Sequence, residues 1–151
     1  MQFKRIIDLT GWLVFIIAAV VYTLTVEPTA SFWDCGEFIA ASYKLQVPHP
    51  PGAPFFLMVN RLFALLAGGD VQSVAFWINM QSVLTSAGAS LFLCWTITLL
   101  GRKILKKTDA ELTNGETWLL MGAGLVGGLA YTFSDSAWWS AVEAEVYAMS
   151  S

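Results

Sequence analysis

Two long runs without a charged residue constrain this chain more than any other feature. Leu9–Val26 and Val71–Gly101 contain no Asp, Glu, Lys or Arg over 18 and 31 residues. As a helix, the first run would rise about 27 Å, close to the roughly 30 Å hydrocarbon thickness of a bilayer. Only 13% of all residues are charged, about half the ~25% typical of soluble domains. The sequence therefore predicts an all-α integral membrane protein, and its net charge of −3 gives no indication of nucleic-acid binding.

The basic residues predict how these runs cross the membrane. Lys4 and Arg5 precede the first run, and four basic residues, Arg102, Lys103, Lys106 and Lys107, follow the second. Cytoplasmic ends of spans carry an excess of Lys and Arg, so we expect both basic clusters in the cytoplasm. A third uncharged run, Thr117–Ser134, has four glycines that favour close helix contact. The prediction is three spans, at about 9–26, 71–101 and 117–134, with a cytoplasmic N-terminus.

The long segment 27–70 then forms an external loop. Its apolar stretch Ala53–Gly69 has Arg61 at the centre. If this stretch crossed the membrane, it would leave a charge at mid-bilayer, at a cost of about 2.5–3.5 kcal/mol. It would also place the basic cluster at 102–107 on the external side, against the excess of Lys and Arg expected in the cytoplasm. We therefore expect two interfacial helices in the loop, at about 33–45 and 53–68. The chain stops at what resembles the start of another helix, so it is expected to be the N-terminal module of a longer protein.

Two acids in the loop, Asp34 and Glu37, are candidate catalytic residues. Their spacing of three places both on one face of a helix. Neighbouring carboxylates repel, so one holds its proton more tightly, which suits general-base catalysis. A structural interpretation stays open: Ser31-x-x-Asp34 fits a capping box, and Glu37 would neutralise Lys44.

Further polar residues extend this candidate site. His49 lies in the proline-rich turn Pro48–Pro54, where neighbouring prolines restrict its backbone; alternatively, the turn only stiffens the join between helices. A metal site is not expected, because the sequence has no spaced ligand set. Arg61 and Lys44 are candidates for binding a phosphate, although Arg61 would also suit snorkelling to the interface.

Residues near the end of the chain are also candidates for binding substrate. Glu143 and Glu145 are two apart, so at most one of them faces a common site if they lie on a helix; Glu143 is the predicted one. Trp139 is a candidate for stacking on a sugar or a lipid chain, or belongs to an interfacial aromatic belt.

Two strings, FWDCGEFIAASYKLQVPHPPGAP and SAVEAEVYAMS, carry a family resemblance. With the order of spans, they resemble the N-terminal module of GT-C glycosyltransferases. They are closer still to a bacterial membrane family described as protein O-mannosyltransferase-like. The resemblance implies inverting transfer of a sugar from a polyprenyl-phosphate donor to an acceptor hydroxyl on a protein or glycan.

The resemblance also implies residue roles and a location. Asp34 matches the base of the first external loop, Glu37 the second acid, and His49 the histidine of a His-Pro-Pro turn. The family pattern has adjacent acids, whereas Cys35 and Gly36 separate them here, so which acid is the base stays open. The implied location is the bacterial inner membrane with a periplasmic first loop, and the implied partners are the lipid-linked donor, its acceptor and membrane lipid.

Two alternatives to an enzyme have different sequence signatures. A non-catalytic membrane subunit would use the external loop to dock a partner protein. A transporter would carry acids within its spans, whereas these spans hold none. The sequence therefore favours a glycosyltransferase module, expected to be inactive without the remaining spans.

Overall fold

A computed structural model describes residues 2–31, 33–50 and 52–150. Within these ranges the chain is helical and forms no strand, which confirms the all-α prediction. The helices are α1 (Gln2–Thr25), α2 (Cys35–Lys44), α3 (Pro54–Leu65), α4 (Val74–Leu105), α5 (Asn114–Thr132), α6 (Asp135–Ala141) and α7 (Tyr147–Ser150), with a 3₁₀ turn at Val71–Ser73 before α4. Pro51 of the predicted proline turn lies outside the described residues, as does Phe32.

Two helices are long and apolar enough to cross a membrane: α1, over Phe3–Thr25, and α4 with its preceding turn, over Val71–Leu105. The predicted third span, 117–134, overlaps α5, and α6 follows it at a bend of 65°. The described chain thus has two candidate spans, or three if the bent pair is one. The predicted interfacial segments coincide with α2 and α3, and α3 has 12 residues, a rise of about 18 Å that is too short to cross a bilayer.

Helix α4 is the centre of the bundle and packs against α1, α5, α3 and α6. Its buried face carries small polar side chains, such as Ser86 and Ser90. Ser90 accepts a hydrogen bond from Thr132 at 2.9 Å, and Gly128 of α5 lies directly against the Ser90 carbonyl. Small side chains and hydrogen bonds drive helix association in lipid, where the hydrophobic effect between helices is absent.

Both basic clusters lie at one end of the bundle, because the Arg102 guanidinium is 5.9 Å from the ring centre of Phe3. We call this the basic end (residues 2–8 and 102–116). Arg102 pairs with Asp109, and Lys107 pairs with Glu116 at 2.6 Å. We call the opposite end, which holds α2, α3, α6 and α7, the acidic end (residues 26–73 and 133–149).

Candidate functional site

The first acid, Asp34, precedes α2 directly and leaves its carboxylate exposed. Helix α2 begins at Cys35, and the Asp34 side chain makes no capping hydrogen bond. The capping-box interpretation is therefore wrong, and the Ser31 hydroxyl donates instead to the Glu143 carboxylate. Trp33 adopts a left-handed backbone with φ of 60°, a conformation that is rare for a bulky side chain. This turn directs the chain into α2 and leaves Asp34 without a capping function.

The second acid, Glu37, holds His49 through two hydrogen bonds. One Glu37 oxygen accepts the His49 backbone N–H at 2.7 Å, and the other lies 2.9 Å from His49 Nδ1. Gly52 makes the following turn possible, because its φ of 75° suits glycine and its N–H bonds the His49 carbonyl at 2.9 Å. The other ring nitrogen, Nε2, is 3.9 Å from an Asp34 oxygen. The imidazole therefore lies between the two predicted catalytic acids.

These contacts shift the pKa values of the His49–Glu37 pair in opposite directions. The hydrogen bond that the His49 ring makes to the Glu37 carboxylate raises the pKa of His49 above its ordinary 6.5, and the charges of Glu37 and Asp34 act in the same sense. Hydrogen bonds from the His49 ring and backbone lower the pKa of Glu37 below its ordinary 4.5. Both shifts are in the direction that favours the charged form of each partner, an imidazolium beside a carboxylate.

Asp34 and His49 line a cavity of about 210 Å³ together with Glu145, Phe38, Gly52 and Ala53. Burial raises the pKa of Glu145, and the charges of Glu143 and Asp34 raise it further. The sequence predicts Glu143, and not Glu145, as the acid that faces the site. The helical spacing rule did not identify the residue that faces the cavity, because residues 142–145 follow the end of α6 as irregular backbone.

Glu143 and Trp139 lie apart from this cavity. They line a second one, of about 430 Å³, with Glu27, Ser31 and Val142. Glu143 is only 4% exposed, whereas Trp139 is 62% exposed. The predicted candidates are therefore divided between two cavities, with Asp34 and His49 at one and Glu143 and Trp139 at the other.

The two predicted phosphate-binding residues are not among those that line either cavity. Arg61 Nη1 donates to the Tyr43 carbonyl at 2.6 Å, and its guanidinium lies 5.3 Å from the Tyr43 ring centre. Lys44 is exposed at the end of α2. Arg61 thus joins α3 to the end of α2, and the exposed Lys44 follows Tyr43 in the chain.

A buried residue missed by the sequence analysis, Asn79 of α4, fixes the start of the loop. Its amide donates to the carbonyls of Glu27 and Thr29 at 2.7 and 3.1 Å. Its oxygen is 3.9 Å from the Cys35 sulfur, and Cys35 is fully buried. Because Asn79 binds the chain on both sides of Ser31, it positions the segment that carries Asp34. An Asn in an apolar run was the available signal.

A divalent cation would find three potential ligand residues, two carboxylates and one imidazole, close together here. Ligand atoms of Asp34, Glu37 and His49 all lie within 4.8 Å of one another, and all three residues are exposed. His49 Nδ1 is already engaged by Glu37, so Glu37 and His49 form a hydrogen-bonded acid–base pair at the same place.

Comparison with known proteins assigns the chain to a family. The model of the protein O-mannosyl-transferase TMEM260 N-terminal domain matches residues 34–151. The chain belongs to this family. The matched segment begins at Asp34 and includes Glu37, His49 and Glu145.

Two curated relatives agree with this assignment. The chain is 29% identical over 137 residues to protein O-mannosyl-transferase tmem260 of Dictyostelium discoideum, and 30% identical over 136 residues to protein O-mannosyl-transferase TMEM260 of Mus musculus. These alignments cover 91% and 90% of this chain but 15% and 17% of the relatives. The predicted resemblance to O-mannosyltransferase-like proteins is confirmed, and the chain spans about one sixth of the length of these relatives. No solved structure is a significant match.

Proposed function

We propose that this chain forms the acceptor-activating part of a membrane glycosyltransferase. The protein would transfer a sugar from a polyprenyl-phosphate donor to an acceptor hydroxyl of a protein or glycan, with inversion, on the extracytoplasmic side. The observation that carries the proposal is the cavity lined by Asp34, His49 and Glu145 at the acidic end. The names of the two relatives support transfer to a protein hydroxyl.

In this proposal Asp34 accepts the proton of the acceptor hydroxyl. The acceptor oxygen attacks the sugar's anomeric carbon, its O–H bond breaks, and the electron pair of the breaking sugar–phosphate bond leaves with the phosphate. A carboxylate is a suitable acceptor for this proton. Asp34 fits the position because it lines the cavity and makes no capping hydrogen bond.

The His49–Glu37 pair would provide a fixed positive charge beside Asp34. Glu37 binds both the backbone and the ring of His49, so the imidazolium is held in place before substrate arrives. A preorganised cation stabilises negative charge that develops on a leaving phosphate. Arg61 and Lys44 lie outside the cavity, and in this proposal they contact phosphate groups at the membrane surface.

Orientation follows from the two ends of the bundle. Both basic clusters share one end, which the positive-inside rule assigns to the cytoplasm. The acidic end then faces the extracytoplasmic side. The bacterial inner membrane and the GT-C arrangement stay predictions, and the two relatives named above come from eukaryotes.

The test is Asp34→Asn in the intact protein, assayed with polyprenyl-phosphate mannose and a threonine-containing peptide. Loss of a general base lowers rates by about 10²–10⁴-fold, and we expect a loss of this size with unchanged membrane insertion. Asp70→Asn is the matched control: Asp70 is an exposed acid of the same loop whose side chain accepts from the Gln72 N–H, which Asn can also do. Full transfer by Asp34→Asn would contradict the proposal. Loss of a bound partner protein without loss of transfer would favour the docking alternative.

A further inference from the structure

The cavity that contains Glu143 is separate from the proposed reaction site. Its volume is about 430 Å³, and Glu27, Ser31, Trp139 and Glu143 line it, none of which lines the cavity of Asp34. Glu145 thus contributes its carboxylate to the Asp34 cavity, and Glu143 contributes its carboxylate to the second cavity. The proposed reaction at the Asp34 cavity gives this second cavity no function.

Glu143 is a buried acid with spare hydrogen-bonding capacity. Glu143 is only 4% exposed, and one of its carboxylate oxygens accepts a hydrogen bond from the Ser31 hydroxyl. Its other oxygen, Oε1, has no hydrogen-bond partner within residues 2–31, 33–50 and 52–150. A carboxylate that is taken out of water needs donors or a positive charge to offset the lost hydration. The single neutral hydroxyl of Ser31 supplies only a part of this.

The lining of this cavity favours a positive charge as the missing partner. Glu27 is a second carboxylate there, and its hydrogen bonds come from the N–H and hydroxyl of Thr29. The described lining contains no Lys, Arg or His. The indole of Trp139, 62% exposed, adds an aromatic face, which attracts cations within about 6 Å of its ring centre.

We propose that this cavity binds an alkylammonium or guanidinium group, such as the end of a Lys or Arg side chain of a polypeptide acceptor. Glu143 would accept its N–H groups, Glu27 would add negative charge, and Trp139 would cover the cation with its ring. The polypeptide source rests on the proposed function, whereas binding of the cationic group does not. The cavity would select acceptors that carry a basic residue near the modified hydroxyl.

The experiment measures binding to the intact protein without any transfer step. Three fluorescent threonine peptides, identical except for one position with Arg, Lys or the neutral Arg analogue citrulline, are titrated by anisotropy. We expect the Arg and Lys peptides to bind at least about tenfold more tightly than the citrulline peptide. Glu143→Gln, which keeps the side-chain shape, should remove that difference. Asp135→Asn, which removes one negative charge at the same end but outside the cavity, should preserve it.

A second variant and two small probes complete the test. Trp139→Leu alters an exposed position, so it should fold and reduce the preference for Arg severalfold. N-butylammonium should compete weakly with the Lys peptide, and methyl mannoside should not. Equal binding of the three peptides, or competition by the neutral sugar alone, would overturn the proposal. Butylammonium that competes as well as the peptide would exclude the polypeptide source. Because no outcome depends on turnover, a failed Asp34→Asn test would leave these results unaffected.

Discussion

Two glutamates, Glu116 at the basic end and Glu145 at the acidic end, have opposite environments. At the basic end, Lys107 and the N–H and hydroxyl of Thr113 all donate to Glu116, and they lower its pKa to about 2. At the acidic end, burial and the neighbouring acids raise the pKa of Glu145 above its ordinary value. The first carboxylate is paired and caps a helix, whereas the second faces a cavity beside another acid.

The difference separates structural acids from candidate functional ones. At the basic end, Asp109 pairs with Arg102, and Glu111 binds the N–H and hydroxyl of Thr108. At the acidic end, Asp34 makes no capping hydrogen bond. Acids that line a cavity, as Asp34 and Glu145 do, are candidates for binding a ligand or accepting a proton. Variants at the two ends should therefore affect different properties: transfer at the acidic end and stability at the basic end.

The largest effect in this comparison is expected for Glu145→Gln. Glu145 lines the cavity with Asp34, and a lost hydrogen bond to a charged group is worth about 1.5–3 kcal/mol. The transfer rate of the intact protein should fall by about tenfold to a hundredfold, measured as initial velocity at saturating donor. Glu111→Gln at the basic end is the control and should keep the normal rate. An unchanged rate for Glu145→Gln would show that the cavity is not where the acceptor reacts.

Next in size is Asn79→Leu, which removes the amide that binds the carbonyls of Glu27 and Thr29. Buried polar groups left without a partner cost about 1–3 kcal/mol, so the free energy of unfolding should fall by that amount in chemical denaturation. Transfer should also fall, because Asp34 follows this segment. Gln46→Leu changes an exposed amide of the same loop and should do neither. Normal transfer by a destabilised Asn79 variant would show that the contacts of Asn79 do not position Asp34 for the reaction.

A smaller effect is expected for Thr113→Ala at the basic end. Thr113 and Glu116 form a capping box at the start of α5, and loss of such a cap costs about 1 kcal/mol. The variant should lower the free energy of unfolding without changing the rate constant of transfer. A clear change in the rate constant at equal folded fraction would contradict the division between the two ends.

The smallest effect is a pH dependence of local order at His49. Its raised pKa means that its contribution to stability is fully present below pH 6.5 and is lost as pH rises through the raised value. The lowered pKa of Glu37 means that its contribution is present above pH 4.5 and is lost as pH falls through the lowered value. The His49 amide should therefore be best protected between these values, after correction for intrinsic exchange rates. Glu37→Gln should flatten this profile in hydrogen-exchange mass spectrometry, and a profile identical to that of the unmodified protein would contradict the pairing.

The sequence predicted the helices better than it predicted the contacts between them. Hydropathy located α1 and α4, and Arg61 indicated that α3 does not cross the membrane. The third uncharged run ends at Ser134, close to where α5 ends and α6 begins. The 65° bend between these helices was not predicted, because hydropathy carries no information about the angle between consecutive helices.

The candidate site was predicted in part. Asp34, Glu37 and His49 were selected from one loop, and the structure brings them together. The sequence did not predict that Glu145, and not Glu143, lines the Asp34 cavity. Spacing rules assume a regular helix, and residues 142–145 are irregular. The hydrogen-bond partner of Arg61 was also not predictable from the sequence. Its long side chain can reach several partners, and only the packing of α2 on α3 selects the Tyr43 carbonyl.

The proposed reaction requires that the two ends of the bundle face opposite sides of the membrane, and cysteine labelling tests this directly. The native thiols of Cys35 and Cys94 are buried, so background labelling should be low. Val47 at the acidic end is 90% exposed and Ile104 at the basic end is 79% exposed, which suits them for replacement by cysteine. With a membrane-impermeant maleimide and intact cells, Val47→Cys should be labelled at once, and Ile104→Cys only after permeabilisation. The reverse pattern would place Asp34 in the cytoplasm and contradict the proposed reaction on the outer side.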